Sequence, residues 1–364
     1  MNVRMTVIGG GLMGRLMALG LVRAGHLVAL HDAGDPEGRL AAAHVAAAMI
    51  APLAESMEAE ACVIALGIQS LGLWPELLAT LKDPVFFEQK GTLVVWHPQD
   101  REEARRFGLK LKEMSPAIPE SFALKTLDPD GLAALEPALK GRFQSGFFLP
   151  GEAQLDNRGL LLSLSRTLDE ALVEVHWASR VEPRDFEDQW VIDCRGFGAK
   201  ADLSRLRGVR GEVLRVESRE LALTRPIRLL HPRYPIYIAP KPHGQYVIGA
   251  TQIESEDASP VSVRSALELL SALYAVHPGF AEARILEMST QLRPALPHHA
   301  PEILWDGGKG IRINGLYRHG YLVAPALMQA ALNLIARILR DPEGVESWCR
   351  ESQFPSLYRF KEAA

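Results

Sequence analysis

Apolar positions along the chain alternate between two rhythms. Residues 3–8 are mostly apolar and continuous, as in a buried strand. Over residues 12–24 the apolar positions recur at helical spacing, and Gly25 stands where a left-handed cap ends a helix. Residues 27–31 read as a second strand. Residues 55–82 carry one or two apolar-striped helices, and Thr92–Trp96 is a strand. The helix expected over 101–113 is rich in charge, so one face is solvated. Asp128-Pro129 opens a further helix with a capping acid and a proline at the first helical position. Strands are expected over 143–149, 189–194, 209–217, 284–292 and 311–313, and a pair over 234–239 and 245–250 turns at Pro240 to Gly244. Helices are expected from Asn157 to Leu168, over 261–276 and over 325–340.

The order of elements sets the fold class. The chain opens with a βαβ unit, closes with a strand, loop and helix, and carries mostly strands between them. This predicts an α/β fold: a discontinuous Rossmann-like domain from residues 1–84, 142–208 and 300–364. An antiparallel-sheet substrate domain from 85–141 and 209–299 is inserted into it.

The first turn carries chemistry. Gly9-Gly10-Gly11-Leu12-Met13-Gly14 joins the first strand to the first helix, and Asp32 follows Gly9 by 23 residues. Gly9 allows a tight turn, Gly11 lets backbone approach a pyrophosphate, and Gly14 lets helix and strand pack closely. The helix start offers free N–H groups and partial positive charge, and Asp32 can accept from ribose hydroxyls. The motif identifies a dinucleotide site but does not choose between nicotinamide and flavin.

Composition narrows the class. The 364 residues are 48% hydrophobic and 23% charged, with a net charge of −4. That is a globular chain with no electrostatic case for nucleic acid. Cys62, Cys194 and Cys349 are too few and too scattered for a disulfide framework or a zinc site, so a reducing cytoplasm is the expected location and no metal is expected. Arg15 and Arg23 interrupt the early apolar stretch, which argues against a secretory leader, and no uncharged run suggests a membrane span.

Further segments occur in a specific order. They are Ala46-Ala47-Ala48-Met49-Ile50-Ala51-Pro52, Val191-Ile192-Asp193-Cys194-Arg195-Gly196, Val209-Arg210-Gly211-Glu212, Tyr237-Ile238-Ala239-Pro240, Val247-Ile248-Gly249-Ala250-Thr251, Leu292-Arg293-Pro294, and Gly315 through Pro325. Together with the glycine turn the chain resembles the flavin-dependent D-amino acid oxidase family, nearest to the glycine oxidases of thiamine pathways. The resemblance implies noncovalent FAD, a small amine or amino-acid substrate, and oxygen as acceptor. Homo-oligomerisation is a further expectation, and a thiazole-synthesis partner comes from the resemblance alone.

Residue roles follow from the same match. Arg318 is expected to clamp the substrate carboxylate, with Arg293 as second ligand, because a guanidinium forms paired hydrogen bonds to a carboxylate. Tyr237 is expected to donate its hydroxyl there. The expected cofactor contacts are Gly9, Gly11, Leu12, Met13, Gly14, Asp32, His44, Ala46, Ala47, Ala48, Met49, Val181, Cys194, Arg195, Gly196, Gly198, His319, Gly320, Tyr321, Leu322 and Val323. The small residues Ala46 to Ala48 permit close backbone approach. The backbone N–H groups of Gly320 to Val323 are expected to face the negative edge of a reduced flavin, aided by the dipole of a helix starting after Pro325. No catalytic histidine is expected, since hydride transfer from a bound amine needs orientation more than acid–base groups.

Three departures from the family pattern bear on the substrate. The loop after Leu292-Arg293-Pro294 lacks its usual glycine, His44-Val45 replace Ser-Trp, and Lys241 replaces an arginine. Other readings stay open at this stage: a dehydrogenase passing electrons to a quinone or protein, a flavin-binding subunit of little activity, or a nicotinamide dehydrogenase.

Overall fold

The computed structural model describes residues 2–114 and 118–360. The outer ends of the expected domains at 1 and 361–364, and residues 115–117 inside them, lie outside the described residues.

The opening strand, Arg4–Ile8, is buried from Met5 onward and lies inside a seven-stranded sheet. Its neighbours are Leu27–His31 and Trp190–Asp193, both parallel to it. Glu174–His176 extends the sheet on one side. Gly310–Asn314, Glu302–Trp305 and Tyr358–Phe360 extend it on the other. Segments far apart in sequence therefore share one sheet. Helices Leu12–Arg23 and Asn157–Glu170 pack together, and Gly320–Arg340 packs on Leu12–Arg23 and Ala61–Leu78. Asp156 caps the second of these, accepting from the backbone N–H groups of Arg158 and Gly159.

A second sheet has eight strands, in the order Arg284–Ala295, Arg207–Glu217, Gln245–Gly249, Ile236–Lys241, Ile227–Leu230, Thr92–Trp96, Gly146–Leu149 and Lys125–Leu127. It is antiparallel except where Ile227–Leu230 runs parallel to Thr92–Trp96. Gly146–Leu149 was expected in the first domain, but its hydrogen bonds run to Thr92–Trp96 and place it here. A small sheet of Met49–Ile50, Ala153–Leu155 and Phe87–Glu88 adjoins the two.

The closing helix corrects a second expectation. It begins at Gly320, and Pro325 lies inside it. Proline has no N–H to bond the carbonyl four residues back. The Trp74 indole N–H takes over that duty, donating to the Tyr321 carbonyl at 2.9 Å. The Ala326 N–H turns to the Ser70 hydroxyl at 3.2 Å. A proline that looked like a helix start is thus accommodated by the neighbouring helix. By length and composition alone, Ala61–Leu78 and Gly320–Arg340 are apolar enough to cross a membrane. Here they pack on one another through Gly67, where a Cβ would meet Leu322, and through Trp74.

Candidate active site and cofactor cavity

A cavity of about 710 Å³ begins at the glycine turn and ends between the two large sheets. Gly9, Gly11, Leu12, Met13 and Asp32 line its beginning, and Ala46 to Met49, Val181, Cys194, Arg195, Gly196 and Gly198 line its length. Gly320, Tyr321 and Leu322 approach from the closing helix, and Tyr237, Arg293, Arg318 and His319 stand at the far end.

Local geometry explains the glycines. Gly9 has φ +97°, and a Cβ on Gly14 would lie 1.7 Å from the Gly9 carbonyl oxygen. A Cβ on Gly11 would meet nothing nearer than Ala41 at 3.5 Å, so the missing side chain there serves the cavity rather than the packing. Asp32 accepts from Gly10 N–H at 2.5 Å and Gly34 N–H at 2.7 Å, which fixes its carboxylate at the end of its strand. Arg15 braces the turn from behind: Nε donates to the Gly10 carbonyl at 2.6 Å and Nη1 to Leu161 O and Ser165 Oγ, both at 2.6 Å. Burial lowers its pKa to about 10. Ala48 has φ +53°, a left-handed conformation on the cavity wall.

Other expected contacts sit differently. Gly14 packs against the turn and does not line the cavity. His44 is turned away, with Nδ1 3.1 Å from the Glu37 carbonyl. Val323 is buried in the apolar core, and its N–H is already spent on the His319 carbonyl at 3.0 Å. The free N–H groups of the helix start are those of Gly320, Tyr321 and Leu322. Arg195 reaches the cavity wall, but its guanidinium is held by Asp193 at 2.9 Å. Burial pushes the Cys194 thiol up, so it stays protonated and packs as a small apolar group. Lys241 lies off the cavity, donating to the Leu155 carbonyl at 2.7 Å, and burial lowers its pKa to about 7. His298 and His299 are also off it; His299 stacks on Tyr317 at 4.6 Å.

At the far end, register brings the polar groups together. Tyr237 faces Arg228 across two antiparallel strands, and Arg228 Nη1 donates to the Tyr237 hydroxyl at 2.6 Å. That hydroxyl donates onward to Glu55 Oε1 at 2.5 Å. Glu55 also pairs with Arg318, Oε2 to Nε at 2.9 Å. Burial alone raises the Glu55 pKa, but Arg318 and Arg228 outweigh it and hold the carboxyl at about 2. Arg318 is further engaged by Glu58 and by Gln252 Oε1 at 3.0 Å. Arg293 differs. It lies over Gly211, where a Cβ would come 2.3 Å from its Cζ, and its hydrogen bond goes to the Thr251 carbonyl at 3.0 Å. Among the described residues it has no carboxylate partner. Burial, reinforced by Arg318, lowers its pKa to about 10, and it remains a cation at neutral pH. The cavity guanidinium at this end with the most open donors is therefore Arg293, whereas Arg318, the first-ranked carboxylate ligand in the sequence, is engaged by side chains of the protein. His319 is buried, and burial lowers its pKa to about 4, so it is neutral.

Sequence reading missed Glu55, Arg228 and Glu152. Their partners lie up to 263 residues away, and no local pattern marks them. Glu152 is buried, and its Oε1 accepts from the N–H groups of Leu53 at 2.9 Å and Ala54 at 2.7 Å, pinning the turn that carries Glu55. Burial raises its pKa to about 7. Glu152→Gln keeps the acceptor, so at pH 4.5 and below, where the wild-type carboxyl is neutral in the folded protein, its melting temperature should stay close to wild type. Glu152→Ala leaves two buried N–H groups unpaired and should lose roughly 1–3 kcal/mol for each one that finds no water. The wild type should also lose stability relative to Glu152→Gln as pH rises from 4.5 to about 7. Over that range the unfolded carboxyl ionises before the folded one, and the difference levels off above it. Chemical denaturation at three pH values measures both effects.

The residues fit FAD. The cavity starts at a glycine turn packed so tightly that a methyl on Gly14 would strike the Gly9 carbonyl, is walled by small residues and meets a helix N-terminus. Among the described residues no cluster of His, Cys, Asp or Glu could hold a metal ion.

Residues 4–331 match the family described as FAD dependent oxidoreductase (DAO). The chain belongs to this family, and its cofactor is FAD. It is 39% identical over 325 residues to a protein of Rhizobium etli named putative thiamine biosynthesis oxidoreductase ThiO, covering 89% of this chain and 94% of that one. Among solved structures, glycine oxidase of Bacillus cereus superposes with a TM-score of 0.77 at 22% identity, covering 91% of this chain and 96% of the other. Iminodiacetate oxidase of Chelativorans gives 0.80 at 21%, covering 99% and 100%. These two share the fold. The protein is an FAD-dependent oxidoreductase of this family, similar to ThiO.

Proposed function

We propose that the protein oxidises a small amino acid, glycine, sarcosine or a small D-amino acid, with oxygen as the electron acceptor. The observation that carries this reading is Arg293: a cavity-facing guanidinium without a carboxylate partner among the described residues, at the end of a cavity that suits FAD. Paired hydrogen bonds from Arg293 hold the substrate carboxylate, which aims the α-hydrogen along the cavity. Tyr237 closes the side of the pocket, its hydroxyl fixed between Arg228 and Glu55. His319 is neutral and adds no charge beside the amine. FAD, when bound, would supply the two-electron acceptor to which the α-hydrogen leaves as hydride. The nitrogen gives up one proton, leaving an imine that water converts to an oxo acid and the free amine. The N–H groups of Gly320 to Leu322 oppose negative charge at that end of the cavity. Oxygen takes the two electrons and two protons, giving hydrogen peroxide. The name of the Rhizobium etli relative extends the reading to a role in thiamine biosynthesis.

The test is anaerobic mixing of the yellow protein with glycine, sarcosine, small D-amino acids and simple amines. Amino acids should bleach the flavin and amines lacking a carboxylate should not. In air, one oxygen should disappear per substrate oxidised. Bleaching by none of the amino acids would sink the substrate class, and turnover supported only by a quinone would sink the oxygen assignment.

A further inference from the structure

The Arg318 guanidinium lines the substrate end of the cavity, yet four of its five N–H donors are already engaged by the chain itself. Glu55 Oε2 lies 2.9 Å from Nε and Oε1 3.3 Å from Nη2, while Glu58 and Gln252 share Nη1. This is the forked pairing an external carboxylate would make. Glu55 cannot simply swing away. It is buried, it accepts the Tyr237 hydroxyl, it lies 3.8 Å from Arg228, and its turn is pinned by Glu152. Glu58 is more exposed and sits at the outer side of the same guanidinium. The pocket thus offers two arginines, one open and one filled from within.

We propose that Glu55 and Glu58 are resident carboxylates that occupy Arg318 and so restrict the substrate to amines bearing a single carboxylate. Glu55 is the specificity-determining residue and Glu58 its outer partner. The inference rests on the amino-acid reading above, with Arg293 as the ligand of the one carboxylate admitted. A substrate with a carboxylate on each side of the amine would have to displace Glu55 from Arg318 or leave its second carboxylate facing Glu55 across a desolvated gap. Either is costly, because a like charge in such a site is barely screened. Removing the resident charges makes Arg318 available. The variant pocket then presents two guanidinium groups to the two ends of a dicarboxylate.

Two unreactive sulfur isosteres separate the cases, with FAD-loaded protein and binding read by calorimetry and by perturbation of the flavin spectrum. Methylthioacetate mimics sarcosine and carries one carboxylate; thiodiacetate mimics iminodiacetate and carries two. The wild type should bind methylthioacetate at least roughly tenfold more tightly, the worth of one charge-assisted hydrogen bond. Glu55→Gln retains an acceptor for the Tyr237 hydroxyl, and Glu58→Gln changes an exposed position. The double variant should shift the preference toward thiodiacetate by roughly tenfold or more, and iminodiacetate should then bleach its flavin anaerobically. A wild type that binds both isosteres equally would overturn the proposal without any variant. A variant that keeps its flavin spectrum and an unchanged preference would overturn it too. If the wild type binds neither isostere and no amino acid bleaches its flavin, the amino-acid reading fails and this one with it. Normal bleaching by glycine or sarcosine with an unchanged preference removes the specificity role alone.

Discussion

Replacing Arg293 by alanine is expected to lower kcat/KM by roughly 30- to 4,000-fold while the protein stays yellow. The basis is the cost of deleting one member of a buried, hydrogen-bonded charge pair, about 2–5 kcal/mol, where each 1.4 kcal/mol is a factor of ten. Arg318 is a poor substitute, since only one of its N–H donors is left by Glu55, Glu58 and Gln252, too few for a paired fork. Most of the loss should appear in anaerobic substrate affinity, with a further part in the rate of flavin bleaching as the α-hydrogen loses its aim. Lysine should recover little, because a single ammonium does not reproduce the planar fork. Gly211→Ala gives an independent check. Its new methyl would lie 2.3 Å from the Arg293 guanidinium carbon, so it moves the charge without deleting it and should reproduce part of the defect. Unchanged kinetics in Arg293→Ala would remove this residue from the substrate site.

The second large effect is on the cofactor. Gly14→Ala should yield protein without flavin, and largely insoluble protein. The added Cβ would lie 1.7 Å from the Gly9 carbonyl oxygen, a clash of backbone with backbone that no rotamer relieves. Opening the turn enough to admit it would displace Gly9, which is already at φ +97° with a Cβ position 2.6 Å from the Cys194 carbonyl. Gly11→Ala is the informative contrast. Its methyl meets nothing closer than Ala41 at 3.5 Å, so the variant should fold and lose cofactor affinity only. Bound flavin per chain, from absorbance after gel filtration, and circular dichroism separate the two. A folded, yellow Gly14→Ala protein would contradict the packing described.

What could be read from sequence was local. The glycine turn, the caps at Gly25 and Asp128, and the hairpin around Pro240 to Gly244 each depend on neighbours within a few residues. Short strands such as Glu174–His176, Ile227–Leu230, Glu302–Trp305 and Tyr358–Phe360 escaped because so few residues show no periodicity, and their pairing partners are remote. Gly146–Leu149 looked like any apolar strand, and only its hydrogen bonds to Thr92–Trp96 say which sheet it joins. The closing helix was begun too late because Pro325 has the appearance of a first-turn proline. Trp74, far upstream, supplies the hydrogen bond that lets the helix run through it. In the site, Arg293 and Arg318 were found by pattern, but which one is open depends on Glu55 and Glu58, two acids in an unremarkable turn.

The seven-stranded sheet has a consequence for the order in which the protein is made. Arg4–Ile8, which borders the central strand Trp190–Asp193, is made before every other strand of this sheet, yet one flank is filled by Trp190–Asp193 and beyond it Gly310–Asn314. The helix start at Gly320 that completes the cofactor cavity follows only then. Until Trp190–Asp193 is made the opening βαβ unit has an unpaired edge, and until Gly320 is made the nucleotide turn has no far wall. Cofactor capture therefore waits for Gly320, and the nascent chain must carry its most ligand-ready segment with one wall missing long after that segment has emerged.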